Sequence, residues 1–288
     1  MKRQKDMKNK TPLIFFGASK FLIPTISMLN QNYELKLVIT TEANPQDAIP
    51  QFCKTHGIAY ESIMTLNNPV LLEKIKAMKA PLGILSYFRL LVPQSVIDIF
   101  PKGIVNIHPS LLPEYRGATP GMQALLDGKE ETGVSLMLLD KELDHGPVLD
   151  QQKESIFPAD TSDTLYTRLF DLGTRMLQKS LPLYLEGTLH SKEQDHSKAT
   201  FSTRDVTRQD GFIDLNSLPS YQTLDRMIRA YYPWPGVFTK MKINDTEKIV
   251  KLLPKRMLQV EGKKPISTKD FMNGYPDKRL EIEKLFGK

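Results

Sequence analysis

The 288-residue chain is 40% hydrophobic and 25% charged, an ordinary globular balance with enough apolar mass for one large core or two smaller ones. A single cysteine, Cys53, excludes an internal disulfide and a cysteine-built zinc site, and the net charge of +6 is confined to residues 207–288, where 16 Lys and Arg stand against 10 Asp and Glu. Such a basic segment is either the electrostatic footprint of a phosphate-rich partner or a set of solvated lysines that keeps the chain soluble.

The first ten residues, MKRQKDMKNK, are basic and expected to be disordered. The apolar TPLIFFGASKFLIPTISML that follows is broken by Pro12, Lys20 and Pro24, and no later stretch reaches 18 apolar residues. The pattern therefore predicts neither export nor membrane insertion, and a cytoplasmic protein.

Leu13–Phe16, then Gly17-Ala18-Ser19 and the helically spaced Phe21–Leu29, reads as strand, turn and helix. With one glycine in that turn the G-x-G-x-x-G fingerprint is missing, so no nicotinamide cofactor is expected. Leu35–Thr40 is a second strand, Gln46–His56 a helix closed by Gly57, Val70–Met78 a further helix and Leu82–Ser86 a buried strand.

Gly103–His108 alternates apolar and polar residues as a strand and runs into Pro109 and Pro113, which cannot continue one. The repeated order of strand then helix predicts an α/β fold with a mostly parallel sheet and its site at the strands' C-terminal ends. Asn106 and His108 are two apart and share one face of their strand. A carboxamide beside an imidazole suits acyl transfer, one steadying a developing oxyanion while the other moves a proton.

Gly121–Leu126 is helical, and Gly133–Met137 and Val148–Ile156 form an antiparallel pair. Their connection, Leu143-Asp144-His145-Gly146-Pro147, supplies a carboxylate that can fold back to orient His108. Taken singly, Asn106, His108 and Asp144 are more often cap, satisfied polar and turn residues. The reading rests on the three together.

Thr161–Leu185 is a long amphipathic helix with Asp160 and Thr161 as capping candidates. Gly187–Thr207 is polar and aperiodic, a linker in which His190 and His196 are expected to be solvated. A strand-like Gly211–Leu215, a helix Leu224–Ala230 and three short strands follow, Val237–Ile243, Lys248–Leu253 and Met257–Val260, before a charged helix or tail from Tyr275.

The stretch NIHPSLLPEYRG, Asn106 to Gly117, together with Asp144, closely resembles the 10-formyltetrahydrofolate-dependent formyltransferases, and the resemblance extends over nearly the whole chain. YYPWPG, Tyr231 to Gly236, and EGKKPIS, Glu261 to Ser267, look like segments of the methionyl-tRNA formyltransferases. The resemblance implies a Rossmann-like catalytic domain over residues 11–186, a linker over 187–207 and a basic C-terminal domain over 208–288. Relatives build that last domain on a five-stranded OB-type barrel, whereas the 39 residues from Gly236 to Gly274 hold about three strands, which predicts a small, reduced OB-like sheet.

The resemblance further implies 10-formyltetrahydrofolate as co-substrate, initiator methionyl-tRNA as acceptor, no metal, and a monomer without an obligate protein partner. Asn106, His108 and Asp144 would be catalytic. Ser110, Leu111, Leu112 and Pro113, with Tyr87, Phe88 and Leu90 of the loop after Leu82–Ser86, would line the folate pocket, largely through backbone groups. Arg116, Lys263 and Lys264 would meet the acceptor, although Arg116 suits a loop cap equally and residues 87–93 suit a plain strand-to-helix connection. Two departures stand out: TTEANPQDAIP, where relatives often carry a long basic insertion, has no Lys or Arg, and Phe88 stands where glycine is common. An amino-sugar nucleotide is the alternative acceptor, and a catalytically idle folate- or RNA-binding module the rival class.

Overall fold

A computed structural model describes residues 10–202 and 206–286. The expected disordered start therefore lies, apart from Lys10, outside the described residues, as do 203–205 of the expected linker. The chain divides into two compact units. One comprises the residues up to Ala118, Thr132–Glu154 and Tyr166–Ser202; the other comprises Thr119–Glu131, Ser155–Leu165 and the residues from 206 onward.

The first unit is built on seven strands: β1 (Pro12–Gly17), β2 (Glu34–Thr40), β3 (Tyr60–Ser62), β4 (Leu82–Ser86), β5 (Ile104–His108), β6 (Glu131–Leu138) and β7 (Val148–Ser155). They are ordered β3-β2-β1-β4-β5-β6-β7, with β1 to β5 parallel and β6 antiparallel to β5. The central strands β4 and β5 are buried at every position; β4 accordingly reads as a short apolar run, whereas β5 buries Asn106 and His108 along with its apolar residues. Edge strand β3 has three residues, too few for a period-2 pattern, and nothing in the sequence announced it.

The helices in chain order are α1 (Ile23–Asn32), α2 (Ala48–His56), α3 (Pro69–Ala77), α4 (Gln94–Ile97), α5 (Pro120–Leu126) and α6 (Ser162–Glu186). Local chemistry sets their ends. Asn68 accepts from the Val70 and Leu71 N–H groups with Pro69 in the first turn of α3, while Gly57 closes α2 at φ 65°. Ile14, Phe16, Leu37, Ile39, Ile75, Val96 and Ile104 form a core on which Phe88 and Leu90 pack. Helix α6 approaches β5 closely through Gly173, where a Cβ would overlap Ile107 Cγ2.

The second unit holds α7 (Tyr221–Ala230), α8 (Thr268–Gly274), α9 (Arg279–Phe286) and an antiparallel sheet of β8 (Val237–Ile243), β9 (Thr246–Leu253), β10 (Met257–Val260) and β11 (Ile266–Ser267). Asn244 and Asp245, both at positive φ, join β8 to β9 in the tight hairpin that the right-handed strand twist favours. The linear order β11-β10-β9-β8 is an open sheet, as the short sequence required. Gly211–Leu215 does not extend it: Arg208–Gly211 is a 3-10 turn, and a single bridge joins Phe212 to Phe238. The core comprises Leu224, Ile228, Val237, Val250, Leu252, Leu258, Phe271 and Leu285. Among the described residues no helix is long and apolar enough to cross a membrane.

Candidate active site

Strand β5 carries Asn106 and His108 to the C-terminal edge of the sheet, both buried, with Asn106 opposite Met137 and His108 opposite Ser135 on β6. The connection from β6 to β7 returns over them and lowers Asp144 into the same space. Asn106 Nδ2 donates to Asp144 Oδ1 at 3.4 Å, and His108 Nδ1 lies 3.6 Å from the same oxygen. The other oxygen, Oδ2, accepts the Gly117 N–H at 2.8 Å. The three side chains singled out in the sequence therefore converge.

The tautomer of His108 is set by a group that a reading of side chains cannot find. His108 Nε2 is 3.0 Å from the Tyr115 carbonyl, which can only accept, so Nε2 carries hydrogen and Nδ1 faces Asp144. Tyr115, at φ 57°, turns that carbonyl inward. Tyr115 thus holds one nitrogen of the ring, and Asp144 stands at ion-pair distance from the other.

The turn Ser110–Pro113 is braced from β6 and β7. Ser135 Oγ donates to the Ser110 carbonyl at 2.7 Å and accepts from the Leu112 N–H at 3.0 Å, while Gln151 Nε2 donates to the Leu112 carbonyl at 2.9 Å. Ser110 Oγ donates to the Glu114 carbonyl at 2.6 Å, and the Leu112–Pro113 peptide is cis. Leu111 is partly exposed beside them.

After β4, Tyr87 sits at φ 45° with its ring against Phe21, Tyr166 and Phe170, and burial raises its phenol above the usual range against the pull of Arg89. Phe88 meets Phe16 edge-on. Among the described residues the N–H groups of Phe88, Arg89, Leu90 and Leu91 reach no protein acceptor.

Arg116 is 5% exposed, and its guanidinium is bonded to Gln194 Oε1 (Nε at 3.2 Å, Nη2 at 2.7 Å) and to His196 Nδ1 at 2.8 Å, the arrangement of the loop-holding role the sequence also allowed. Burial of a fully charged group demands such partners. Lys263 and Lys264 belong to the second unit, in the exposed turn between β10 and β11, with Lys263 Nζ donating to the Tyr275 hydroxyl. The expected linker contributes two segments to the first unit's hydrogen bonding: Lys192 pairs with Val148, and Arg116 bridges to Phe201.

A polar cleft of about 340 Å³ opens at the exits of β1 and β2, lined by Lys20, Glu42, Asp47 and Arg89. Burial holds the Glu42 carboxyl above the usual carboxylate range, the Ile49 N–H pulling the other way. Two carboxylates and two cations thus share this cleft. Among the described residues no group of three His, Cys, Asp or Glu is placed to hold a metal.

At the end of the fifth strand of an open α/β sheet, a carboxamide and an imidazole meet a carboxylate from the next connection, a set of groups suited to acyl transfer. More particularly, the chain belongs to the formyl transferase family, whose model matches residues 20–181, and it is a formyltransferase enzyme. It is 34% identical over 236 residues to the methionyl-tRNA formyltransferase of Chloroflexus aurantiacus, covering 79% of this chain and 75% of that one. The methionyl-tRNA formyltransferase of Dehalococcoides mccartyi is 32% identical over 305 residues, covering 92% and 96%. The same fold is found in the N-formyltransferase of Helicobacter canadensis, solved with folinic acid and dTDP-3-aminofucose, at TM-score 0.62 and 18% identity over 87% of this chain and 95% of that one.

Proposed function

We propose that the chain transfers the formyl group of 10-formyltetrahydrofolate to the amino group of initiator methionyl-tRNA, with Asn106, His108 and Asp144 acting at the transferred carbonyl. The observation carrying the chemistry is the convergence of those side chains around one buried carboxylate oxygen. The acceptor amine attacks the formyl carbon and a C–N bond forms. Asn106 Nδ2 turns from Asp144 to the carbonyl oxygen as it becomes tetrahedral, and His108 Nδ1 takes the proton that the amine loses. Asp144 then faces the charged imidazolium, and the C–N10 bond breaks as N10 is protonated.

The donor reading is supported by the loop after β4, whose unclaimed N–H groups suit the polar edge of a pterin, and by the folinic acid bound to the Helicobacter canadensis protein. The acceptor reading is supported by the curated relatives in Chloroflexus aurantiacus and Dehalococcoides mccartyi and by the net charge of residues 207–288. The mixed-charge cleft at the exits of β1 and β2 favours a second reading, an amino-sugar nucleotide acceptor, which is small, polar and far less anionic than tRNA.

Transfer of labelled formyl to charged initiator tRNA, with an amino-sugar nucleotide in parallel, decides between acceptors. Asn106→Ala removes the oxyanion donor, which is worth on the order of 3 to 4 kcal/mol in such sites, so turnover should fall about 100- to 1,000-fold with folate affinity little changed. Near wild-type turnover in that variant overturns the assignment.

A further inference from the structure

Gln194 has no place in the chemistry above, yet its amide is among the most completely engaged groups near Asp144. It is 8% exposed. Its Oε1 accepts twice from Arg116, at 3.2 and 2.7 Å, and its Nε2 donates to the carbonyls of Asp144 at 2.9 Å and Gly146 at 2.7 Å. Because a guanidinium only donates and a carbonyl only accepts, the amide can sit one way round, with both hydrogens directed at the loop that carries Asp144. That loop needs holding: Asp144 itself is at φ 48°, in the left-handed region that side chains adopt less readily than glycine.

The same short segment grips the other side of the site. Arg116 N–H donates to the Thr200 carbonyl at 2.9 Å, Ser202 N–H to the Arg116 carbonyl at 2.8 Å, and Tyr115 N–H to Thr200 Oγ1 at 2.9 Å. Tyr115 is the residue whose carbonyl fixes His108. His196, bonded to Arg116, stacks on His145 with ring centroids 3.9 Å apart. Residues 192–202 thus bind the loop after β5 to the loop between β6 and β7.

We infer that Gln194 is a positioning residue, which through the Asp144 and Gly146 carbonyls sets the Asp144 carboxylate against Asn106 and His108. This rests on the reading of Asp144 as part of the catalytic set. Misplacing such a group by about 1 Å costs on the order of 100-fold. Gln194→Leu removes donors and acceptor together; Gln194→Glu keeps an acceptor for Arg116 and replaces the two donors with lone pairs aimed at carbonyl oxygens.

The test measures kcat, the KM for 10-formyltetrahydrofolate and Tm for both variants and for Asp144→Asn, using the acceptor that the wild-type chain formylates. Both Gln194 variants should lose about 10- to 100-fold in kcat with KM within about twofold. Adding Gln194→Leu to Asp144→Asn should lower kcat by less than about threefold further, because the first change acts through the second residue. A folded Gln194→Leu with wild-type kcat, or effects that multiply in the double variant, overturns the inference. Should Gln194→Leu fail to fold, wild-type kcat in Gln194→Glu overturns it alone. If Asp144→Asn keeps wild-type kcat, the underlying reading fails first, and the two failures are told apart.

Discussion

Two non-glycine residues at the site, Tyr115 at φ 57° and Asp144 at φ 48°, sit where a side chain crowds its own backbone. In each the strained backbone does a job: one aims a carbonyl at His108, the other aims a carboxylate at it. Side-chain identity in the sequence pointed to Asn106, His108 and Asp144 because their chemistry is unusual at such a spacing. The Tyr115 carbonyl had no such signal, since every residue carries one. Cys53 is legible in the opposite sense. Its thiol is fully buried, and burial, with the Glu42 charge adding, pushes it up to about 11. The stability that a neutral thiol contributes is complete below the ordinary thiol range of about 8.5 and is lost as pH rises through the raised value. We expect Cys53 to stay unlabelled by iodoacetamide at pH 8 in the native chain, to label in urea, and denaturation midpoints to fall between pH 9 and 11. Labelling at the denatured rate under native conditions would contradict this.

At the scale of elements, β5 is placed by what packs against it. Its Val105 and Ile107 turn away from the site, and Gly173 lets α6 come within reach of Ile107. Thr161–Leu185 was readable as a helix from its apolar period, but the reason for a glycine in its middle was not, because the close approach joins residues 66 positions apart. Gly173→Val introduces branched bulk where one carbon already overlaps, and helix propensity differs little between the two residues. The variant should therefore lose about 2–3 kcal/mol in urea denaturation and shift β5 enough to lower turnover. Unchanged stability would show that the helix can move away freely. The segment 192–202 carries the same lesson. Its polarity read as linker, yet that polarity is engaged in pairing with Val148, Arg116 and the Asp144 loop.

For the molecule as a whole, charge distribution makes the testable statement. Alternation along β8 leaves Lys240 and Lys242 exposed between buried Thr239, Met241 and Ile243. If tRNA is the acceptor and the second unit meets about four phosphates, kcat/KM should fall with salt at a log–log slope of about −3 or steeper between 50 and 200 mM. A nearly flat series would favour the small nucleotide that the mixed-charge cleft suits. The sequence by itself determined the parallel α/β sheet, the reduced C-terminal sheet and the three convergent side chains, because apolar period, length and rare polar residues are local properties. Only the tertiary structure decided that Arg116 is buried, that Tyr115 holds the His108 tautomer and that Gln194 braces the Asp144 loop. Those are bonds to backbone groups and between distant segments, and nothing local in a sequence encodes which carbonyl a folded chain will bring within 3 Å.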